Sequence, residues 1–113
     1  MTKTELGAVR QLAGRLDEMK ATIEELRASG ADPETRWAYA TKLAEALRRI
    51  RKAEAWIYRE TAGDRVLREI LLLRYCKAKK WEEIADALGG NNNTENVRQA
   101  GYRFIKRHFP PNN

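Results

Sequence analysis

Apolar residues in the first half of the chain recur with the rhythm of helices. Val9, Leu12, Leu16, Met19, Ile23 and Leu26 follow one another at spacings of 3, 4, 3, 4 and 3. That spacing sets one apolar row along a helix, as in a coiled-coil seam. Ser29-Gly30 supplies a stop, because glycine tolerates the left-handed cap. Asp32-Pro33 supplies a restart, with Asp as N-cap and Pro at the first helical position, where its missing N–H costs nothing. A second seam follows at Ala40, Leu43, Leu47, Ile50 and Ile57, with Glu54 interrupting its last step. A connection this short predicts an antiparallel helical hairpin over residues 1–62. Two helices alone make a thin core, so the hairpin must dock on the rest of the chain or on a second copy.

Gly63-Asp64 marks the next boundary, where Gly ends one helix and Asp caps another. Val66, Leu67, Ile70, Leu71, Leu73 and Tyr75 spread over a broad face, the pattern of a helix packed on two sides. A basic break at Lys77–Lys80 precedes a short amphipathic helix with Trp81, Ile84, Ala85 and Leu88 on one face. Gly89-Gly90-Asn91-Asn92-Asn93 is a strong turn signal. The last helix runs from about Asn93 to His108, stopped by Pro110-Pro111, and Asn92 with Glu95 has capping-box spacing. No stretch alternates as a strand would. The predicted fold is all-α: an antiparallel helical hairpin, then a three-helix head over 63–109 containing a helix-turn-helix, then a tail over 110–113.

The last helix carries the functional signal. Val97, Ala100, Gly101, Phe104, Ile105 and His108 fall on one side. Thr94, Glu95, Asn96, Arg98, Gln99, Tyr102, Arg103, Lys106 and Arg107 occupy the rest, and Asn93 stands at the helix start. A recognition helix is built this way: one stripe is buried, donors and acceptors project toward base edges, and cations further along meet phosphates. Arg and Asn or Gln have the forked geometry that reads guanine and adenine in the major groove. These ten residues are the expected contacts to double-stranded DNA.

The segments Leu71-Leu72-Leu73-Arg74-Tyr75, Trp81-Glu82-Glu83-Ile84-Ala85-Asp86-Ala87-Leu88-Gly89 and Glu95-Asn96-Val97-Arg98-Gln99 occur in that order. Together they resemble region four of bacterial sigma factors, the domain that reads an upstream promoter element. The resemblance spans roughly Asp64 to Arg107. With a hairpin upstream, the chain is similar to small sigma-region-four-like regulators of phages and prophages, including RinA-like activators. The resemblance implies base-reading roles for Glu95, Asn96, Arg98 and Gln99, and backbone-facing roles for Arg103, Lys106 and Arg107. Three features depart from the family. The turn from Leu88 to Val97 is about two residues longer, Lys80 stands where a Ser or Thr cap is usual, and Thr94 and Asn96 replace residues that are often Arg.

Charge agrees with this reading. The 113 residues carry 22 Lys and Arg against 16 Asp and Glu, a net +6. Counting by halves gives 12 basic and 10 acidic residues over 1–60 (+2), and 10 and 6 over 61–113 (+4). An anionic partner suits that excess. Arg48-Arg49-Ile50-Arg51-Lys52 is a second basic cluster, either simply solvated or set to touch flanking DNA.

The remaining chemistry is sparse. Cys76 is the only cysteine and reads as a buried, inert thiol, which fits the cytoplasm. His108 is the only histidine and reads as a helix-end residue. Glu24-Glu25 and Glu82-Glu83 read as solvated faces. No catalytic set, metal site or cofactor is expected, and no membrane span. Trp81 belongs to the core by its helical phase, whereas Trp37 and Trp56 lie off the seam as candidates for a contact surface. A transcription regulator that binds DNA is the leading expectation, with a homodimer through the hairpin and RNA polymerase as further partners. Two alternatives stand beside it: a phage DNA-packaging or assembly component, and a polymerase-docking module that does not read DNA.

Overall fold

The structure is a computed structural model and describes residues 1–111; Asn112 and Asn113, the end of the expected tail, lie outside the described residues. It is all-α, with no strand among the described residues. The helices are α1 (Lys3–Gly14), α2 (Leu16–Ala28), α3 (Pro33–Glu60), α4 (Arg65–Leu71, continued by a π-helical turn Leu72–Cys76), α5 (Trp81–Leu88) and α6 (Thr94–His108).

The first apolar row does not lie on one helix. It breaks at Arg15, between α1 and α2, where the backbone turns to φ −105° and ψ 0°. Gly14, a weak helix former, closes α1 at this point. The break lets the two halves of the row take different partners. α2 packs on α3, whereas α1 packs on α3 and on the π-helical turn. Asp32 caps α3 as its sequence predicts, its carboxylate accepting from Thr35 N–H at 2.9 Å. That bond and the Thr35 hydroxyl hold the Asp32 carboxyl below its ordinary range.

One core joins residues far apart in the chain. Leu6 and Val9 from α1, with Ile50, Ala53, Trp56 and Ile57 from α3, pack with Leu71, Cys76 and Phe104. Trp56, expected on a contact surface, is buried. Its ring meets Phe104 edge-on at 5.6 Å and stacks on Phe109 at 5.6 Å. Its position off the α2-facing seam turns it toward the end of α6, a second neighbour that periodicity within α3 does not reveal. Trp37, in contrast, is 71% exposed. A second, smaller cluster holds Ile70, Trp81, Ile84, Ala85 and Val97. Away from these cores, α2 and the first turns of α3 extend as an arm, and the molecule measures 50 × 36 × 24 Å. Its radius of gyration of 16.8 Å exceeds the ~13 Å of a compact chain this long. Among the described residues no helix is long and apolar enough to cross a membrane.

Candidate nucleic-acid interface

Two short helices and a tight turn position the residues of interest. α5 starts at Trp81, and the Glu83 carboxylate accepts from Lys80 N–H at 3.0 Å. Lys80 has no acceptor to return, so only the Glu half of a capping box forms. The turn runs through Gly89 and Gly90, both at positive φ (63° and 62°), a conformation that favours glycine. The cap of α6 is Asn93, not Asn92. Asn93 Oδ1 accepts from Asn96 N–H at 2.8 Å. Asn92 is occupied in the turn, where its side-chain amide donates to Gly89 O at 2.9 Å.

α6 buries Val97, Gly101 and Phe104 and half-buries Ala100, Ile105 and His108, the stripe its sequence predicts. Gly101 is a point of close approach to α5. A Cβ there would sit 2.7 Å from Trp81 Cη2, so the indole lies on the bare backbone. This contact fixes how the two helices pack. Trp81 is itself held between Tyr102, edge-on at 5.8 Å, and the Arg74 guanidinium, 4.2 Å above its ring.

The residues expected to contact DNA divide into three groups. Glu95, Arg98 and Gln99 form a hydrogen-bonded set on the N-terminal turns. Arg98 Nη2 donates to both Glu95 oxygens (2.7 and 2.6 Å), and Arg98 Nε donates to Oε2 at 3.1 Å. Gln99 Nε2 donates to Glu95 Oε1 at 3.0 Å. The Arg98 pair is the main reason the Glu95 carboxyl is held below its ordinary range. Arg98 also lies 5.5 Å from the Tyr102 ring centre. Pairing at an exposed site adds little stability, and it gathers donors of both forked side chains on one carboxylate.

Tyr102 and Lys106 form the second group. They border a shallow groove together with Lys3, Ile105 and Phe109. Lys3 comes from the far end of the chain, and no local pattern places it there. The third group is Arg103 and Arg107, on the flank facing α4, where they border a groove with Val66, Leu67, Ile70 and Ala100. The three cations are therefore not one row: Lys106 lies on one side of α6 and the two arginines on the other. Of the rest, Asn93 is the cap, Asn96 is exposed, and Thr94 is half-buried.

Other polar groups are occupied structurally. Cys76 is buried, and desolvation pushes its thiol up to about 12, so it is protonated and unreactive at neutral pH. His108 is half-buried, with Nδ1 3.1 Å from Phe104 O and Nε2 3.3 Å from a Glu60 oxygen. It ties the end of α6 to the end of α3. Among the described residues no group of three or more His, Cys, Asp or Glu side chains could hold a metal ion. The chain matches no protein-family model, no curated protein and no solved structure.

Proposed function

We propose that the protein is a sequence-specific regulator of transcription that binds double-stranded DNA, with α5, the Gly89–Asn93 turn and α6 acting as a helix-turn-helix and α6 as its reader. One observation carries this reading. Arg98 and Gln99, which have the forked geometry for purine edges, stand on the N-terminal turns of α6, anchored to Glu95 and clear of the stripe that packs the helix. Tyr102 and Lys106 continue along the same helix toward positions where a duplex backbone would pass. The ordered segments Leu71–Tyr75, Trp81–Gly89 and Glu95–Gln99 support a regulator of the sigma-region-four kind, encoded by a phage or prophage. Within this proposal the arm pairs two heads on one site, because a second linked head converts its binding into an intramolecular step.

The test is selection on randomised duplexes followed by binding of variants. Arg98→Ala and Gln99→Ala should each cost about 1–3 kcal/mol on the selected site and relax preference at particular base pairs. Affinity for unrelated duplexes should change much less. Unaltered preference profiles in both variants would remove α6 from the role of reader.

A further inference from the structure

A cationic site outside α6 emerges from the way α1 docks on the head. The guanidinium of Arg74, in the π-helical turn, lies over Trp81 at 4.2 Å and donates through Nη1 to Lys79 O at 3.3 Å. These contacts hold it in place without neutralising it. α1 packs against the same turn and brings Arg10 beside it. The Arg10 Nε is buried and has no hydrogen-bond partner. Neither Arg10 nor Arg74 makes an ion pair among the described residues; the close ion pairs involve Arg27, Arg48, Arg59, Arg98 and His108.

Two like charges brought to one turn, with no carboxylate within salt-bridge reach of either, repel one another. Burial, and next to it the charge of Arg10, lower the proton affinity of Arg74, and the smaller opposing effects of Tyr75, Tyr102 and Glu82 do not cancel them. An anion shared between them would relieve that repulsion, and paired arginines favour phosphate in particular, because their forked donors match its oxygens. The surroundings add to the same sign. Lys77, Lys79 and Lys80 follow Arg74 with no acid among them, and all three are exposed. The site is also continuous with the candidate reader. Arg98 lies on Tyr102, Tyr102 meets Trp81 edge-on, and Trp81 carries Arg74 on its face.

We propose that Arg10 and Arg74 form a phosphate-binding site that carries the nucleic-acid interface off α6 and onto α1, and that its ligand is a backbone phosphate of duplex DNA. The proposal rests on the DNA-binding reading above. It gives α1 a role distinct from the arm: the helix docks on the head and supplies one half of a phosphate clamp. A free phosphate would satisfy the same chemistry, so the test separates the two sources.

The experiment measures binding of the full chain and of Arg10→Gln to a selected and an unrelated duplex over a range of salt. Arg10→Gln should weaken both duplexes by the same factor, about three- to tenfold, and should lower the salt slope by about one unit, while leaving base preference intact. Arg10→Lys, which keeps the charge, should retain the slope. Circular dichroism checks that each variant folds. In parallel, the Arg Nε–H resonances of the parent are followed by NMR with duplex and with inorganic phosphate. A shift of the Arg10 and Arg74 signals with duplex at micromolar concentration supports the proposal. A response to micromolar inorganic phosphate and none to duplex assigns the site to a free anion and overturns it. A selective parent whose salt slope is unchanged in Arg10→Gln overturns this site alone. Loss of slope in Arg10→Gln without any base preference in the parent keeps the phosphate site and overturns the reader.

Discussion

α1 and α2 are nearly the same length, 12 and 13 residues, and both are amphipathic. α1 buries Leu6 and Val9 almost completely, whereas α2 buries no residue. Their apolar rows are continuous in sequence, so the difference does not come from composition. It comes from the number of neighbours. α1 has α3 on one side and the π-helical turn on another, and the two surfaces close over its row. Beyond its first turn, where Leu16 reaches the core, α2 packs mainly on α3, and one cylinder cannot cover more than part of another's apolar stripe. Burial is therefore a property of the assembly of helices, and periodicity states only which face is available for it.

This contrast can be broken most directly at Phe104, which is 1% exposed at the junction of α3, α6 and the docked α1. Phe104→Ala should destabilise the protein by about 3–5 kcal/mol in urea unfolding, because both the transfer of the ring and the cavity it leaves count. A loss under about 1 kcal/mol would show that this core is not what holds the halves together. Gly101→Ala comes next. Its methyl would meet Trp81 at 2.7 Å, and the α5–α6 pair must separate to admit it, at a cost of about 1–3 kcal/mol. DNA binding should weaken along with stability in that variant, since the same contact aims α6. An unchanged midpoint would mean that Trp81 can move aside freely.

The smallest effect belongs to the arm. Ile23 is only half-buried against α3, so Ile23→Ala should cost roughly 1 kcal/mol in the monomer. Its larger signature should be in mass. α2 carries 4 acidic and 2 basic side chains, a net of −2, while residues 33–52 of α3 carry 2 and 6, a net of +4. Two arms stacked so that α2 of one meets α3 of the other would cover both half-exposed seams and match opposite charges. Sedimentation equilibrium at tens of micromolar, on the order of a weak specific dimer, should show a dimer for the parent and less of it for Ile23→Ala. A strictly monomeric parent would end the proposal of pairing through the arm.

Most helix ends were legible because their signals are local, whereas the break at Arg15 and the π-helical turn were not. Asp32-Pro33, Gly63-Asp64 and Gly89-Gly90 mark helix boundaries within a residue or two of where the helices begin and end. The buried stripe of α6 was equally legible, since Val97, Gly101 and Phe104 repeat at helical spacing. What escaped depends on contacts between distant segments. Trp56 looked free because its neighbours, Phe104 and Phe109, lie 48 and 53 positions away. The division of the α6 cations between two flanks was hidden for the same reason: it is defined by where α4 and the N-terminus lie. Arg10, on an unremarkable turn of α1, gave no signal at all until Arg74 stood beside it. The Asn92 cap was missed by one residue because two adjacent asparagines satisfy the same pattern, and only the turn decides which is used.

The π-helical turn has a consequence for how the chain tolerates changes in length. Leu71 and Cys76 are five positions apart, yet both belong to one core. In a regular α-helix they would point about 140° away from each other. The wider turn, closed by Lys77 N–H on Leu72 O at 3.1 Å, absorbs one extra residue and brings them to the same side. Losing one residue between Leu72 and Tyr75 would convert the turn to ordinary α-helix, with Leu71 and Cys76 then about 40° apart and still facing the same core. A deletion in the middle of α3 or α6 would instead rotate everything beyond it by about 100°. The segment joining α4 to the basic loop is thus a place where the gene could lose a codon while the core stays in phase.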